Sequence, residues 1–128
     1  MPEPAALAHS YLGQRVTVQI DRPLGSCHPE HGFPYPVNYG YLPGIPAPDG
    51  EALDAYVLGV GAPLSAFTGH CIAIIHRLDD DDDKLVVVPQ GVTLSDDEIR
   101  AQTRFQEQYS CSILLRQAPV PSSDDTSP

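Results

Sequence analysis

Proline decides where this chain can be regular. Fourteen of its 128 residues are proline and ten are glycine, and Asp21 to Pro36 alone holds four of the prolines and two of the glycines. Proline has a fixed φ and no amide hydrogen, so that stretch is loop or turn. Pro43, Pro46 and Pro48 argue against regular strand pairing beyond Leu42. Between these breaks lie short runs. Arg15 to Ile20 alternates, with Val16, Val18 and Ile20 on one face and Thr17 and Gln19 on the other, the pattern of a half-buried strand. Val37 to Leu42, Leu53 to Val60, His70 to His76 and Leu85 to Val88 are four further β-rich runs, and Ile113 to Leu115 reads as a last short strand.

One helix is announced late. Ser95-Asp96-Asp97-Glu98 has the form of a capping box, and Leu94 and Ile99 stand at the hydrophobic-staple positions. The helix should run to about Gln108, with Ala101, Phe105 and Tyr109 sharing an apolar face. The expectation is a mainly β (α+β) fold, a small five-stranded β-barrel with one C-terminal helix packed on it. Residues 1–14 read as a flexible lead-in, 15–117 as the barrel domain, and 118–128 as a disordered Pro/Ser/Asp tail.

Charge narrows the function. A formal charge of -10 with only seven Lys and Arg argues against nucleic acid as a partner, because phosphate-backbone affinity comes mostly from cationic side chains. No apolar run is long enough for a membrane span and the first residues lack a signal-peptide pattern, so a cytoplasmic protein is expected. Cys27, Cys71 and Cys111 are odd in number and lack a CxxC, which fits reduced thiols.

The chemistry gathers in two acidic stretches. Tyr35 to Asp54 places three tyrosines before a proline-stiffened loop that delivers Asp49, Glu51 and Asp54. Carboxylates this close repel unless a cation sits between them, and Mg2+ or another hard divalent ion binds through such oxygens. Asp54 lies in an apolar run, where an unpaired acid is costly, so it needs a metal or a cationic partner. Asp79 to Asp83 then leads into Lys84, the only lysine. Five acids in a row commonly form a solvated loop, but Asp82 and Lys84 are alternate positions entering a strand and share a side. The other candidates have plainer readings as well. Tyr35, Tyr39 and Tyr41 can pack across a strand, or Tyr39 can reach a phosphate oxygen; Cys27, His28 and His31 lack a fourth zinc ligand, which leaves His28 as solvent-facing or an anion contact. His76 and Arg77 end a strand or clamp an anion.

These motifs resemble the family I soluble inorganic pyrophosphatases. Tyr35-Pro36-Val37-Asn38-Tyr39-Gly40-Tyr41, Asp49-Gly50-Glu51-Ala52-Leu53-Asp54, and Asp82-Asp83-Lys84 with its following strand are each similar to segments of that family, over about Arg15 to Tyr109. The resemblance implies an OB-like barrel that hydrolyses pyrophosphate with Mg2+ and commonly assembles as a homo-oligomer. It places Asp49, Glu51, Asp54 and Asp82 at the metals, Glu51 also beside the attacking water, and Tyr35, Tyr39 and Lys84 on the phosphates. This chain departs from the pattern at several points: Arg77 stands where a metal-binding aspartate is usual, Glu51 is a methylene longer than the usual aspartate, and Ser110 replaces a lysine after Tyr109. Arg22, His28 and Arg77 are the candidates to replace missing phosphate-binding cations, with Asp79 or Asp80 as a further ligand. Two rival readings remain at this point, a non-catalytic module that binds phosphate, a nucleotide or a metal, and a hydrolase of another small phosphate compound.

Overall fold

The computed structural model describes residues 10–28, 30, 32–46, 52–79 and 83–116. Six strands and one helix are formed: β1 (Arg15–Arg22), β2 (Asn38–Pro46), β3 (Ala52–Val57), β4 (Ala66–Arg77), β5 (Asp83–Val88), α1 (Asp96–Glu107) and β6 (Ser112–Arg116). The order β1-β2-β3-β5-β4 closes through a β1–β4 pairing into a five-stranded barrel. All the pairs are antiparallel except β3–β5. Strand β4 is long enough to serve two neighbours in turn, β1 along Ala66 to His70 and β6 along Ala73 to Arg77.

Two departures from the sequence reading concern the backbone. Strand β2 does not stop at Leu42 but continues to Pro46, and its pairing with β3 slips between those residues. The irregular stretch contains Pro43 and Gly44, the latter at φ 77°, so the prolines sit where no ladder donor is required. Before β1, Leu12 is buried in the core, and the Gly13 amide donates to the Cys71 carbonyl at 2.8 Å. Ordered packing therefore begins ahead of Arg15.

The barrel wall is buried on both sides. Val16, Val18 and Ile20 of β1 meet Leu42, Leu53, Ala55, Val57, Cys71, Ile74, Leu85 and Val87 in one cluster, drawn from all five strands, which fills the interior. The alternate residues Tyr39, Tyr56, Ala73, Ile75, Val86 and Val88 form a second cluster with Tyr35, Val37 and Ile99. That cluster lies on the outside of the wall, beneath α1 and the loop after β1. As a result β5 is buried along its whole length. Two residues of the tyrosine segment fix this layer. Gly40 has no side chain because a Cβ there would meet the Gln19 carbonyl oxygen of β1 at 2.0 Å. Fully buried Asn38 accepts from the Leu24 and Leu64 amides at 2.9 and 3.0 Å and donates to the Ala62 carbonyl at 2.9 Å, tying two loops to one side chain.

The capping box forms as read: Glu98 N donates to Ser95 Oγ at 3.1 Å, and Ser95 N donates to Glu98 Oε1 at 2.8 Å. The helix buries another face than the one expected. Ile99, Thr103 and Glu107 point inward, while Ala101 is exposed and Tyr109, beyond the helix end, is 75% exposed. Phe105 alone of the expected trio packs, edge-on against the rings of Tyr35 and Tyr56. The helix lies over hydroxyl-bearing rings and an arginine, so polar groups on its inner face find partners there.

Candidate active site

Register assembles the site. Asp54 of β3 lies opposite Tyr41 of β2 on one side and Lys84 of β5 on the other, and Tyr39 is two residues from Tyr41, so all four side chains leave the same outer face. Asp54 Oδ2 accepts from the Tyr39 hydroxyl at 2.8 Å and from Lys84 Nζ at 3.0 Å. The ammonium also stands 5.6 Å from the centre of the Tyr39 ring, within cation–π range. The lysine side chain is only 4% exposed, whereas that of Asp54 is 33% exposed. A buried ammonium is costly without a counter-charge, and Asp54 supplies it. Burial pushes the Tyr39 phenol well above its ordinary range, an effect that Lys84 opposes and Asp54 reinforces. Tyr39 is thus a hydroxyl donor and not a phenolate.

A second acid, not singled out from the sequence, stands nearby. The Asp21 carboxyl is raised above the ordinary aspartate value by partial burial; Arg22 opposes the shift and the charge of Asp54 adds to it. Asp21 ends the outward-facing series Thr17, Gln19, Asp21 of β1. The sequence reading put Asp21 at the start of a loop, whereas β1 runs on to Arg22, and the nearness to Asp54 depends on barrel closure. Arg22 lies against Asp21, its Nη1 3.8 Å from Asp21 Oδ2, and its charge and hydrogen bonding oppose the upward shift that burial gives the Tyr35 phenol. Tyr35 packs on Tyr39 with ring centres 5.8 Å apart. Four of the expected residues, Arg22, Tyr35, Tyr39 and Lys84, therefore form one connected patch with Asp54. The patch lies on the outer wall, and Tyr35 and Tyr39 join it to the helix-covered cluster.

The family model described as Pyrophosphatase: Inorganic pyrophosphatase matches residues 14–113. The chain belongs to the inorganic pyrophosphatase family. Its activity is accordingly that of an inorganic diphosphatase, the hydrolysis of pyrophosphate to phosphate. Among solved structures it is similar to the inorganic pyrophosphatase from Ehrlichia chaffeensis (18% identity over 77% of this chain and 82% of that one, TM-score 0.61). It is also similar to those from Coxiella burnetii (23%, covering 74% and 76%, TM-score 0.56) and Thermus thermophilus (21%, covering 74% and 72%, TM-score 0.55). These likenesses agree on the barrel. No curated protein matches the sequence significantly.

Other residues that the sequence put forward in this pyrophosphatase are placed as follows. Asp49, Glu51, Asp80, Asp82 and His31 lie outside the described residues. His28 Nδ1 accepts from the Glu30 amide at 3.1 Å, and its ring lies parallel to Tyr35 at 6.1 Å between centres. Arg77 does not join the Asp54 patch through any described contact. Its Nε and Nη2 grip Glu107 Oε1 and Oε2 of α1 at 3.0 and 2.8 Å, so it holds the helix down. Asp79, at the end of β4, accepts from the Cys111 amide at 3.3 Å. Asp83, between the two positions favoured in the acidic run, is fully buried and meets His76 Nδ1 at 2.6 Å. Among the described residues no three His, Cys, Asp or Glu side chains gather as a metal site.

The donor chemistry nevertheless suits a hard divalent cation. Both donors from the described residues reach Asp54 Oδ2, and the side chain as a whole is a third exposed. Asp21 is near enough for the two negative charges to repel, which a cation between or beside them would relieve.

Proposed function

We propose that this pyrophosphatase works with Mg2+, held through Asp54 together with Asp49, Glu51 and Asp82, and that the Asp54, Tyr39 and Lys84 group receives one phosphate of the substrate. When bound, the ion supplies charge neutralisation on the phosphates and a water of lowered pKa. Glu51 is the carboxylate that holds the attacking water in line and takes its proton. Lys84, held beside Asp54 at Oδ2, donates to a non-bridging phosphate oxygen whose charge grows as the phosphoanhydride bond breaks. The Tyr39 hydroxyl, kept protonated by burial, gives its one hydrogen to Asp54 and so keeps that carboxylate in a single orientation beside the phosphate. Arg22 and Tyr35 line the adjoining edge as a second phosphate contact, and His28 supports them by packing on Tyr35.

The observation that carries this reading is the pairing of a buried, fixed ammonium with a half-open acid on adjacent parallel strands. A structural ion pair gains nothing from leaving its acid open. The test is Asp54→Ala, assayed as phosphate release from pyrophosphate with Mg2+, beside circular dichroism to follow the fold. Activity should fall on the order of a hundredfold or more, the scale for losing a group that stabilises developing charge. An unchanged rate would refute the role. A cytoplasmic setting and assembly as a homo-oligomer belong to the same proposal. The exposed apolar residues Leu78 and Ile113 at the end of β4 and the start of β6 support a self-contact there.

A further inference from the structure

Beside the phosphate patch runs a groove of about 520 Å3 lined by His28, Phe33, Gln106 and Tyr109. Three of its four walls are aromatic. The Phe33 ring lies 4.8 Å from His28 and 5.8 Å from Tyr35 between centres, and Tyr109 stands largely in solvent at the groove edge. No small inorganic diphosphate needs such a lining, because it has no π face to stack.

The groove also joins the phosphate patch. Gln106 forms part of its wall and accepts the Tyr35 hydroxyl at 3.1 Å, the same phenol that Arg22 approaches. Tyr35 in turn packs on Tyr39, and Lys84 sits over Tyr39. A ligand with a phosphate at Arg22 therefore has an aromatic hollow on the far side of the Tyr35 hydroxyl and Gln106.

We propose that this groove holds the base of a nucleoside 5′-diphosphate, and that such organic diphosphates are substrates of the site alongside pyrophosphate. The inference rests on the pyrophosphatase reading and extends it to a substrate class. The charge inventory explains why a second anchor is useful. With one lysine in the chain and Arg77 committed to Glu107, the phosphates meet few cations, and stacking supplies affinity that charge here does not. Gln106 and His28 add polar edges for the rim of a base. In the reaction, water oxygen bonds to the terminal phosphorus while the bond from that phosphorus to the bridging oxygen breaks. The electron pair leaves with the bridging oxygen, giving the nucleoside monophosphate, orthophosphate and one proton.

The test is calorimetric titration of the full chain, with Mg2+, using α,β-methylene adenosine diphosphate and methylenediphosphonate, which share the uncleavable P–C–P unit and differ by the nucleoside. The nucleotide should bind on the order of tenfold more tightly, and Tyr109→Ala should remove most of that ratio. Equal affinities in the unaltered chain, or a Tyr109→Ala loss equal for both ligands, would overturn the groove. Adenosine diphosphate that binds through the groove yet releases no phosphate would overturn the substrate assignment. Failure of the parent reading looks different. Neither pyrophosphate hydrolysis nor methylenediphosphonate binding would be seen, while a nucleotide affinity sensitive to Tyr109→Ala would still support the groove.

Discussion

Two acid–cation pairs lie on the outer wall of the barrel, and they are built to opposite specifications. Glu107 and Arg77 are closed: their side chains are 7% and 14% exposed, the guanidinium reaches both carboxylate oxygens, and the Tyr56 hydroxyl adds a donor to Oε2 at 2.6 Å. Asp54 and Lys84 are half open, with both donors crowded on one oxygen of an acid that water reaches. A carboxylate with its lone pairs filled can only hold structure together. One with a vacant oxygen and a fixed cation beside it can still take a ligand.

The contrast predicts where damage should appear. Arg77→Ala strands Glu107 as a buried charge, and breaking such a pair from one side costs about 3–5 kcal/mol. Denaturant unfolding should show that loss, with the folded fraction still hydrolysing pyrophosphate. A loss under about 1 kcal/mol would mean that the closed pair is not structural, and the contrast would fail.

How much of this was legible in sequence follows from the same distinction. The alternation of β1, the capping box and the acid set in the apolar run of β3 are local signals, and each led to the right element. Asp54 and Lys84 were singled out because each was odd in its setting, an acid among apolar residues and a solitary lysine. Arg77 was put forward for substrate without sight of Glu107, because that partner is thirty residues away on a helix and a buried ion pair looks in sequence like two surface charges. The inner face of α1 was misassigned for the same reason: Thr103 and Glu107 read as solvent-facing until their partners are known. Asp21 was passed over because its nearness to Asp54 comes from barrel closure, which leaves no local signature. Burial of β3 was readable from its apolar run, but the cover over Tyr39 and Lys84 was hidden, since an aromatic and a lysine there look like the wet side of a strand.

Lys84→Met should do the reverse of Arg77→Ala. The acid left behind is partly exposed and keeps the Tyr39 hydroxyl, so the stability change should be about 1 kcal/mol or less. The rate of phosphate release should nonetheless fall on the order of a hundredfold. Measuring kcat and KM separately sharpens the comparison. A charge contact made mainly in the transition state lowers kcat, whereas a rise in KM alone would make Lys84 a plain binding group.

The smallest effect concerns Asp21 and has a definite sign. Its carboxyl is raised above 3.8, chiefly by partial burial and further by the charge of Asp54, with Arg22 opposing. The folded chain therefore holds that proton more tightly than the unfolded chain, and the ionised form subtracts from stability. That penalty is complete above the folded pKa, shrinks as pH falls through it, and is gone below the ordinary value near 3.8. Asp21→Asn should accordingly raise the Tm slightly at neutral pH, and the advantage should vanish in acid. Mg2+ should reverse the order. If repulsion between Asp21 and Asp54 helps to make the cation site, adding the ion at neutral pH should raise the Tm of the unaltered chain more than that of Asp21→Asn. Equal Mg2+ shifts in the two proteins would confine the cation to Asp54 and its loop partners, leaving Asp21 as a strained neighbour with no part in holding it.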